Sequence, residues 1–443
     1  MTRDGAGKQD HMEGNGDSHP ARGDGGSTST RKKILLLTPQ FPYPPHQGTT
    51  IRNYNLIAGL ARRHVVHLLS FGQPDESEGT PLDVLCHSVQ VVRPPQRTMG
   101  QRLKGLFLSR LPDMAQRLPS TQFGATLANT LEHVDPDVVE VEGIELAQYL
   151  LQVVERRANA ERPLLVFDDH NAEYVLQQRA CETDMRSSQL RRWVGAAYSF
   201  VQWQRLRTYE RRVCRAADWV VAVSEADAGA LRRLVKGLEP VVVPNGVDMQ
   251  YYAGPGSPLE ARTLLDGQGL VFTGKMDFRP NVDAVLWFVQ EVLPLIEREM
   301  PGVHFWVVGK DPHPRLAPLA GNPAVTLTGR VEDVRPYIAA AAVCVIPLRI
   351  GGGTRLKVLE AMAMGKAIVS TTLGCEGFDL VSGQELVLAD TPGDFSGAVL
   401  ALLRDPERCE RLGRAARQFA GSRYDWQIIV PWLERVYEIG EPL

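Results

Sequence analysis

Between residues 351 and 360 the chain reads Gly-Gly-Gly-Thr-Arg-Leu-Lys-Val-Leu-Glu, which sets two cations and a carboxylate close behind a triple glycine. Glycines let a backbone approach an anion closely, and the free N–H groups of a helix's first turn face that charge. Gly351, Gly352, Gly353 and Thr354 are therefore candidates for an anion cradle, with Arg355 and Lys357 as its cations. Lys275 and Arg279 follow another apolar strand, and several cations converging on one helix start suit a diphosphate. Glu360 stands three residues after Lys357, so both share a helix face. A carboxylate there can accept two hydroxyl hydrogen bonds, as from a ribose. The same spacing also describes a Lys-Glu pair on a solvated face, worth about 0.2 to 0.5 kcal/mol, and it does not choose between the two.

A second concentration of titratable groups is Asp168-Asp169-His170-Asn171-Ala172-Glu173, directly after the apolar strand Leu164 to Phe167. In open parallel sheets, ligands bind beyond the carboxyl ends of the strands. His170 and Asp169 are thus candidate site residues, although a histidine satisfied by its neighbouring aspartates in a tight turn has the same appearance. Gly48 closes the proline-rich loop after the first strand and occupies the equivalent position there.

Short, continuous apolar runs of the kind buried in parallel sheets recur along the chain. In the first half they are Ile34 to Leu37, Val65 to Phe71, Asp137 to Glu142, Leu164 to Phe167, Asp218 to Val223 and Val241 to Val243. In the second half they are Leu270 to Thr273, Val303 to Val308, Val325 to Thr328, Val343 to Ile346, Ala367 to Ser370 and Leu386 to Leu388. Helical segments lie between them, including a long Arg-rich stretch over Asp184 to Ala217, a helix from about Thr354 to Met364, and amphipathic helices near Pro406 to Ala420 and Trp426 to Tyr437. The pattern predicts an α/β protein of two Rossmann-like, doubly wound domains facing each other across a cleft. Proline and glycine accumulate around Lys236 to Gly256, which places the division there, with domains over 32–240 and 241–423. Neither half has Gly-x-Gly-x-x-Gly after its first strand, which argues against a dinucleotide-dependent dehydrogenase.

The 443 residues are too many for one core, and a net charge of −3 gives no ground for a nucleic-acid partner. Six scattered cysteines without metal-ligand spacing read as reduced thiols of a cytoplasmic protein, and no metal site is expected. No apolar run reaches the roughly 18 residues that span a bilayer. Residues 1–31 are nearly devoid of apolar side chains and are expected to form a disordered tail. The segment Gln101 to Leu118 interleaves leucines and Phe107 with Arg102, Lys104, Arg110 and Arg117. It fits an amphipathic helix packed on its own sheet with a solvated basic face, and also a helix lying on an anionic membrane surface.

Gly274-Lys275, Val308-Gly309, Gly329-Arg330-Val331-Glu332-Asp333 and Leu359 to Val369 together resemble the C-terminal domain of retaining GT-B glycosyltransferases of family 4, the group 1 transferases. The first half is similar through Gly48, His170 in its Asp-Asp-His-Asn-Ala-Glu run, Ser224 to Asp227 and Pro244 to Asp248, so the resemblance runs from about Lys32 to Tyr437. The Gly-Gly-Gly-Thr-Arg-Leu-Lys form is similar to a branch linked to exopolysaccharide loci.

The resemblance implies a nucleotide-diphosphate sugar held by the second domain and a saccharide or lipid-linked acceptor held by the first. A terminal helix, about 424–443, would rejoin the first domain. It implies that Glu360 grips the ribose, that Arg355 or Lys357 together with Lys275 neutralises the diphosphate, and that His170 contacts the transferred sugar. The anomeric configuration would be retained, with no cofactor and no obligatory metal. The protein would be cytoplasmic, with a peripheral position at the inner membrane face under the membrane reading of 101–118. The family's usual carboxylate eight residues before Glu360 is absent, and Gly352 stands there. That leaves the backbone N–H groups of Gly352 and Gly353 to take over the sugar contact. A two-domain nucleotide-sugar epimerase and a non-catalytic nucleotide-sugar binding protein are alternatives on the same architecture. The first would need cleft carboxylates that Gly352 does not supply, and the second would need no His170.

Overall fold

The computed structural model describes residues 31–98, 100, 105, 109–156, 163–185, 190–253, 269–351 and 355–439, and the polar segment 1–30 lies outside them. Seven strands form a parallel sheet: β1 (Lys33–Thr38), β2 (Val65–Phe71), β3 (Ser88–Val92), β4 (Val138–Glu142), β5 (Leu164–Asp169), β6 (Trp219–Ala222) and β7 (Val241–Val242). Their order is β3-β2-β1-β4-β5-β6-β7. Six more make a second parallel sheet: β8 (Gly269–Thr273), β9 (His304–Val308), β10 (Val325–Gly329), β11 (Val343–Ile346), β12 (Ile368–Ser370) and β13 (Val387–Leu388), in the order β10-β9-β8-β11-β12-β13. Both sheets follow one plan, in which the strand order reverses beside the first strand. The crevices lie between β1 and β4 and between β8 and β11, where such sheets bind ligands.

Residues that alternate onto opposite faces of each strand are nearly all buried, because helices cover both sides. Strand β3 and the helix Thr121–Val134 are elements that the sequence pattern did not announce. β3 is an edge strand of half-buried residues, Ser-Val-Gln-Val-Val, with too short an apolar run to stand out. The helix is capped by Ser120, whose hydroxyl accepts the Phe123 N–H at 3.2 Å, and it buries Phe123, Leu127 and Leu131 one turn apart. Phe123 stacks on Phe71 with ring centres 4.3 Å apart.

Two helices pack on each other here, Glu173–Met185 and then Leu190–Ala216, the second of which carries the Arg-rich stretch as one long helix. The first begins directly after His170. Of the aromatic residues in the second, Tyr209 is buried and Trp203 packs on the core, while Tyr198 and Phe200 are exposed. Residues 101–104 and 106–108 of the segment 101–118 lie outside the described residues. Of the remainder, Leu118 packs on the first core while Leu111 is exposed.

The last helix, Trp426–Ile439, returns to the first sheet, where Ile429, Leu433, Val436 and Tyr437 share a core with Ile34, Leu36, Leu56 and Ile57. It lies so close to the helix Gly48–Leu60 that a Cβ on Gly59 would fall 2.4 Å from Val430 Cγ2. The two chain crossings between the halves are zipped together: the Val247 N–H donates to the Tyr424 carbonyl at 2.8 Å, and the Trp426 N–H to the Val247 carbonyl at 3.3 Å. No helix among the described residues is long and apolar enough to cross a membrane. Five of the six cysteines, all but Cys409, are buried.

Candidate functional site

In the second half, the site is built from the loops after β8 and β11. Gly274 and Gly309 end β8 and β9 so close together that a Cβ on Gly309 would land 1.7 Å from the Gly274 carbonyl oxygen. This approach shapes the loop that carries Lys275, Arg279 and Asn281. The helix after β11 runs over Leu356–Ala363, starting later than its sequence predicts because Arg355 is non-helical, with φ −90° and ψ 86°. Arg355 is buried, and its guanidinium nitrogens lie 3.4 Å from where a Cβ on Gly351 would stand. Burial pushes its pKa down, against the pull of nearby Glu376, and Arg179 adds to the lowering. Gly351 itself has φ +113°, which only glycine adopts without strain.

Lys357 does not point to solvent. Its Nζ donates to Asn281 Oδ1 at 2.7 Å and sits 4.0 Å from the centre of the Phe272 ring. Burial lowers its pKa to about 7, with Glu360 opposing and Arg355 assisting the shift. Glu360 is pushed upward by burial and held back by the Tyr252 hydroxyl and by Lys357. The two groups are thus half-buried neighbours with separate partners, Asn281 and Tyr252, rather than a solvated ion pair. Arg335 fixes the backbone that brings Tyr252 in: it stacks 3.9 Å over the Tyr251 ring, donates to the Tyr251 carbonyl at 2.8 Å and pairs with Asp333 at 2.7 Å.

In the first half, three carboxylates and one guanidinium meet at the crevice between β1 and β4. Glu140 and Glu142 lie on one face of β4, and Asp168 is the register partner of Glu142 on β5. Arg52, 1 % exposed, reaches from the helix Gly48–Leu60 to donate to Asp168 Oδ2 at 2.6 and 3.0 Å, to the Pro244 carbonyl at 3.2 Å and to Asn245 Oδ1 at 3.3 Å. His170 Nε2 lies 2.6 Å from Glu142 Oε2. Burial lowers the His170 pKa, but the Glu142 bond and the charges of Glu142 and Asp168 outweigh it, so the net shift is upward. Glu142, Asp168 and His170 have the mutual spacing of a metal site. The Arg52 guanidinium holds Asp168 Oδ2 and the imidazole holds Glu142 Oε2, so one oxygen of each carboxylate is committed to a protein partner.

The two halves touch beside these groups. A Cβ on Gly48 would meet Leu356 Cδ1 at 3.7 Å, so the first turns of Gly48–Leu60 and Leu356–Ala363 address the same space. Arg179 pairs with Glu376 through contacts of 3.1 and 3.2 Å. A cavity of about 230 Å³ lies next to that pair, lined from both halves by Arg179, Ser224, Asp227, Arg233, Glu376 and Gly377.

The family profile described as Glycosyltransferase Family 4 matches residues 47–251, and that described as Glycosyl transferases group 1 matches residues 267–405. The first profile covers β2 to β7 and the second covers β8 to β13. The chain belongs to the group 1, family 4 glycosyltransferases. It is 30 % identical over 213 residues to a phosphatidyl-myo-inositol mannosyltransferase of Mycolicibacterium smegmatis, covering 46 % of this chain and 52 % of that one. It is 27 % identical over 259 residues to a glycogen synthase of Mycobacterium tuberculosis, covering 55 % and 59 %. The chain spans about half the length of the curated relatives it matches. Among solved structures, sucrose-phosphate synthase from Thermosynechococcus elongatus aligns with TM-score 0.70 at 18 % identity, over 92 % of this chain and 99 % of that one. Anabaena HepE, in complex with UDP and glucose, aligns with TM-score 0.61 at 17 % identity, over 92 % and 100 %. These alignments identify the fold as GT-B.

Within this glycosyltransferase frame, Arg355, Lys357, Glu360 and Gly351 come together after β11, and Gly48 and His170 lie in the half that faces them. Gly352, Gly353 and Thr354 lie outside the described residues. Lys275 and Arg279 are exposed, and Lys275 Nζ pairs with Asp277 at 3.0 Å rather than joining Lys357. Asp169 is not grouped with His170. Side chains alternate across a strand, so it faces away from Asp168 and is buried near Glu210, whose carboxylate accepts the Glu173 and Tyr174 N–H groups at 2.9 and 3.0 Å.

Sequence reading missed Arg52, Asn53, Glu142 and Tyr252. A signal existed for the first three. Arg52 and Asn53 interrupt the inward stripe completed by Leu56, Ile57 and Leu60, and Val-Val-Glu-Val-Glu puts two acids on one face of an otherwise apolar strand. Tyr252 gave none, because the distance between residues 252 and 360 is closed only by the fold.

Proposed function

We propose that this chain is a retaining glycosyltransferase that moves a sugar from a nucleotide-diphosphate donor to a saccharide or lipid-linked acceptor, in exopolysaccharide or other cell-surface glycan synthesis at the cytoplasmic side of the membrane. The donor belongs to the domain over 241–423 and the acceptor to the domain over 32–240. The observation that carries this reading is the opposition of two crevices. One presents Arg355, Lys357 and Glu360; the other presents His170 on its Glu142 support.

Charge develops on the diphosphate as it leaves, and fixed cations at a helix start, away from bulk water, stabilise that charge more than they stabilise the ground state. Arg355 and Lys357 fill this role, so that no metal is required. Glu360 accepts the ribose hydroxyls, and His170 touches the sugar from the opposite side. Gly352 and Gly353 contribute backbone N–H groups to the sugar. Because Lys275 and Arg279 are exposed on the loop after β8, they act at the rim of the donor site. The cavity beside Arg179 and Glu376 provides acceptor space on the side of the first domain. Peripheral contact with an anionic membrane is supported by the apolar surface of Leu111, Tyr198, Phe200 and Val201, all exposed, and by the relative that is named for a lipid acceptor. Co-sedimentation with anionic vesicles at low salt tests it, and its absence would refute it.

The main test is a screen of nucleotide sugars for thermal stabilisation, followed by calorimetry and product analysis with the best binder. Glu360→Ala is expected to abolish donor binding, whereas His170→Ala keeps binding and loses transfer. Normal donor affinity in Glu360→Ala would overturn the ribose role. Transfer by His170→Ala at the wild-type rate would overturn the role of the histidine.

A further inference from the structure

Around His170 the buried charges do not balance without it. Glu140, Glu142 and Asp168 are each fully buried, and the cation buried among them is Arg52. One oxygen of each carboxylate, Glu140 Oε1, Glu142 Oε1 and Asp168 Oδ1, has no hydrogen-bond partner among the described residues. An ionised carboxylate removed from water needs a countercharge or a proton. Asp168 has Arg52, while burial pushes the Glu140 carboxyl well above the usual carboxylate range, toward its protonated form, beside the Tyr437 hydroxyl of the last helix. Glu142 has Asn53, whose amide nitrogen can donate to Oε2 at 2.9 Å, and the His170 ring nitrogen at 2.6 Å. A neutral amide offsets no charge, so the ring is the group that completes the set.

We propose that Glu142 is a positioning residue for the transfer reaction: it holds His170 by Nε2–H, leaving Nδ1, on the side of the Gly143 turn, as the ring atom offered to substrate, with Arg52 as the countercharge that keeps the adjoining Asp168 from competing for the ring. The proposal rests on the glycosyltransferase reading for its consequence, though not for its geometry. A Cβ built on Gly143, which turns at φ +81°, would lie 3.6 Å from Nδ1 and 3.3 Å from Glu145 Oε2, so the Nδ1 side of the ring faces that turn and not the Glu142 carboxylate. The groups around His170 are Glu142 on β4, Glu145 at the Gly143 turn, Asp168 on β5, Arg52 and Asn53 on the helix Gly48–Leu60, and Glu173 on the helix that follows. The net upward shift of the ring agrees with its role as counter-ion.

The test is the titration of His170 in the full chain, followed by NMR of carbon-13-labelled histidine and assigned with His170→Gln. A midpoint above the ordinary value of about 6.5 is expected in the wild type, falling by about one unit or more in Glu142→Gln. The upper limb of the rate profile against pH should move with it, while donor affinity stays unchanged. Glu142→Asp, which keeps the charge, should recover part of the shift. An unchanged midpoint in Glu142→Gln would overturn the proposal. So would a wild-type midpoint at or below the ordinary value, a result that needs no variant to fold. A midpoint that moves while the rate profile does not would overturn the part of His170 in transfer, leaving the pairing itself intact.

Discussion

Donor binding should take up a proton, and Lys357 is the group that takes it. In the free protein its ammonium is desolvated between Asn281 and Phe272, with a pKa of about 7. A diphosphate placed against it returns the group to its ordinary range of about 10, so uptake is roughly half a proton near pH 7 and about nine-tenths near pH 8. Since only the charged form binds well, affinity should fall about tenfold, or about 1.4 kcal/mol, for each pH unit above 7. Calorimetry with the best-stabilising nucleotide sugar, repeated in phosphate and in Tris, reads the uptake as the difference in apparent enthalpy between buffers. Lys357→Met should bind weakly, with no uptake. The sign carries the discrimination: Glu360, pushed upward by burial, would release a proton on ionising to accept ribose hydroxyls. Zero or negative uptake near pH 8 would refute the assignment to Lys357.

Arg52→Ala should destabilise the chain by about 3 to 5 kcal/mol, because it strands Asp168 as an uncompensated buried charge, and chemical denaturation would reveal the loss. A loss below about 1 kcal/mol would mean that Asp168 is already neutral. Gly309→Ala should force the Gly274 carbonyl aside, costing about 1 to 3 kcal/mol and weakening donor affinity through the Lys275 to Asn281 loop, as thermal unfolding and calorimetry would show. Full affinity with unchanged melting would show that the close approach of the two loops is not needed for donor binding.

Much of the architecture was legible because buried parallel strands announce themselves as short apolar runs. Both crevice loops were also marked, one by its triple glycine and one by the polar run ending β5. Edge strand β3 was silent, since a half-covered strand needs no continuous apolar run. The helix at 173–185 was obscured by its position directly behind the histidine turn.

The sequence by itself determined two doubly wound domains and the identities of Lys357, Glu360 and His170 as candidates, since spacing along one helix or at one strand end is a local property. It could not decide what those groups face. Whether Lys357 and Glu360 paired on a solvated face or turned to other partners depended on Asn281, Phe272 and Tyr252, which are distant in the chain. Whether His170 was satisfied by its own turn depended on Glu142, 28 residues earlier. Asp169 looked equivalent to its neighbours until strand alternation turned it to Glu210. Only the tertiary structure fixes the partners of buried charges, because desolvation and Coulomb attraction act through space and not along the chain.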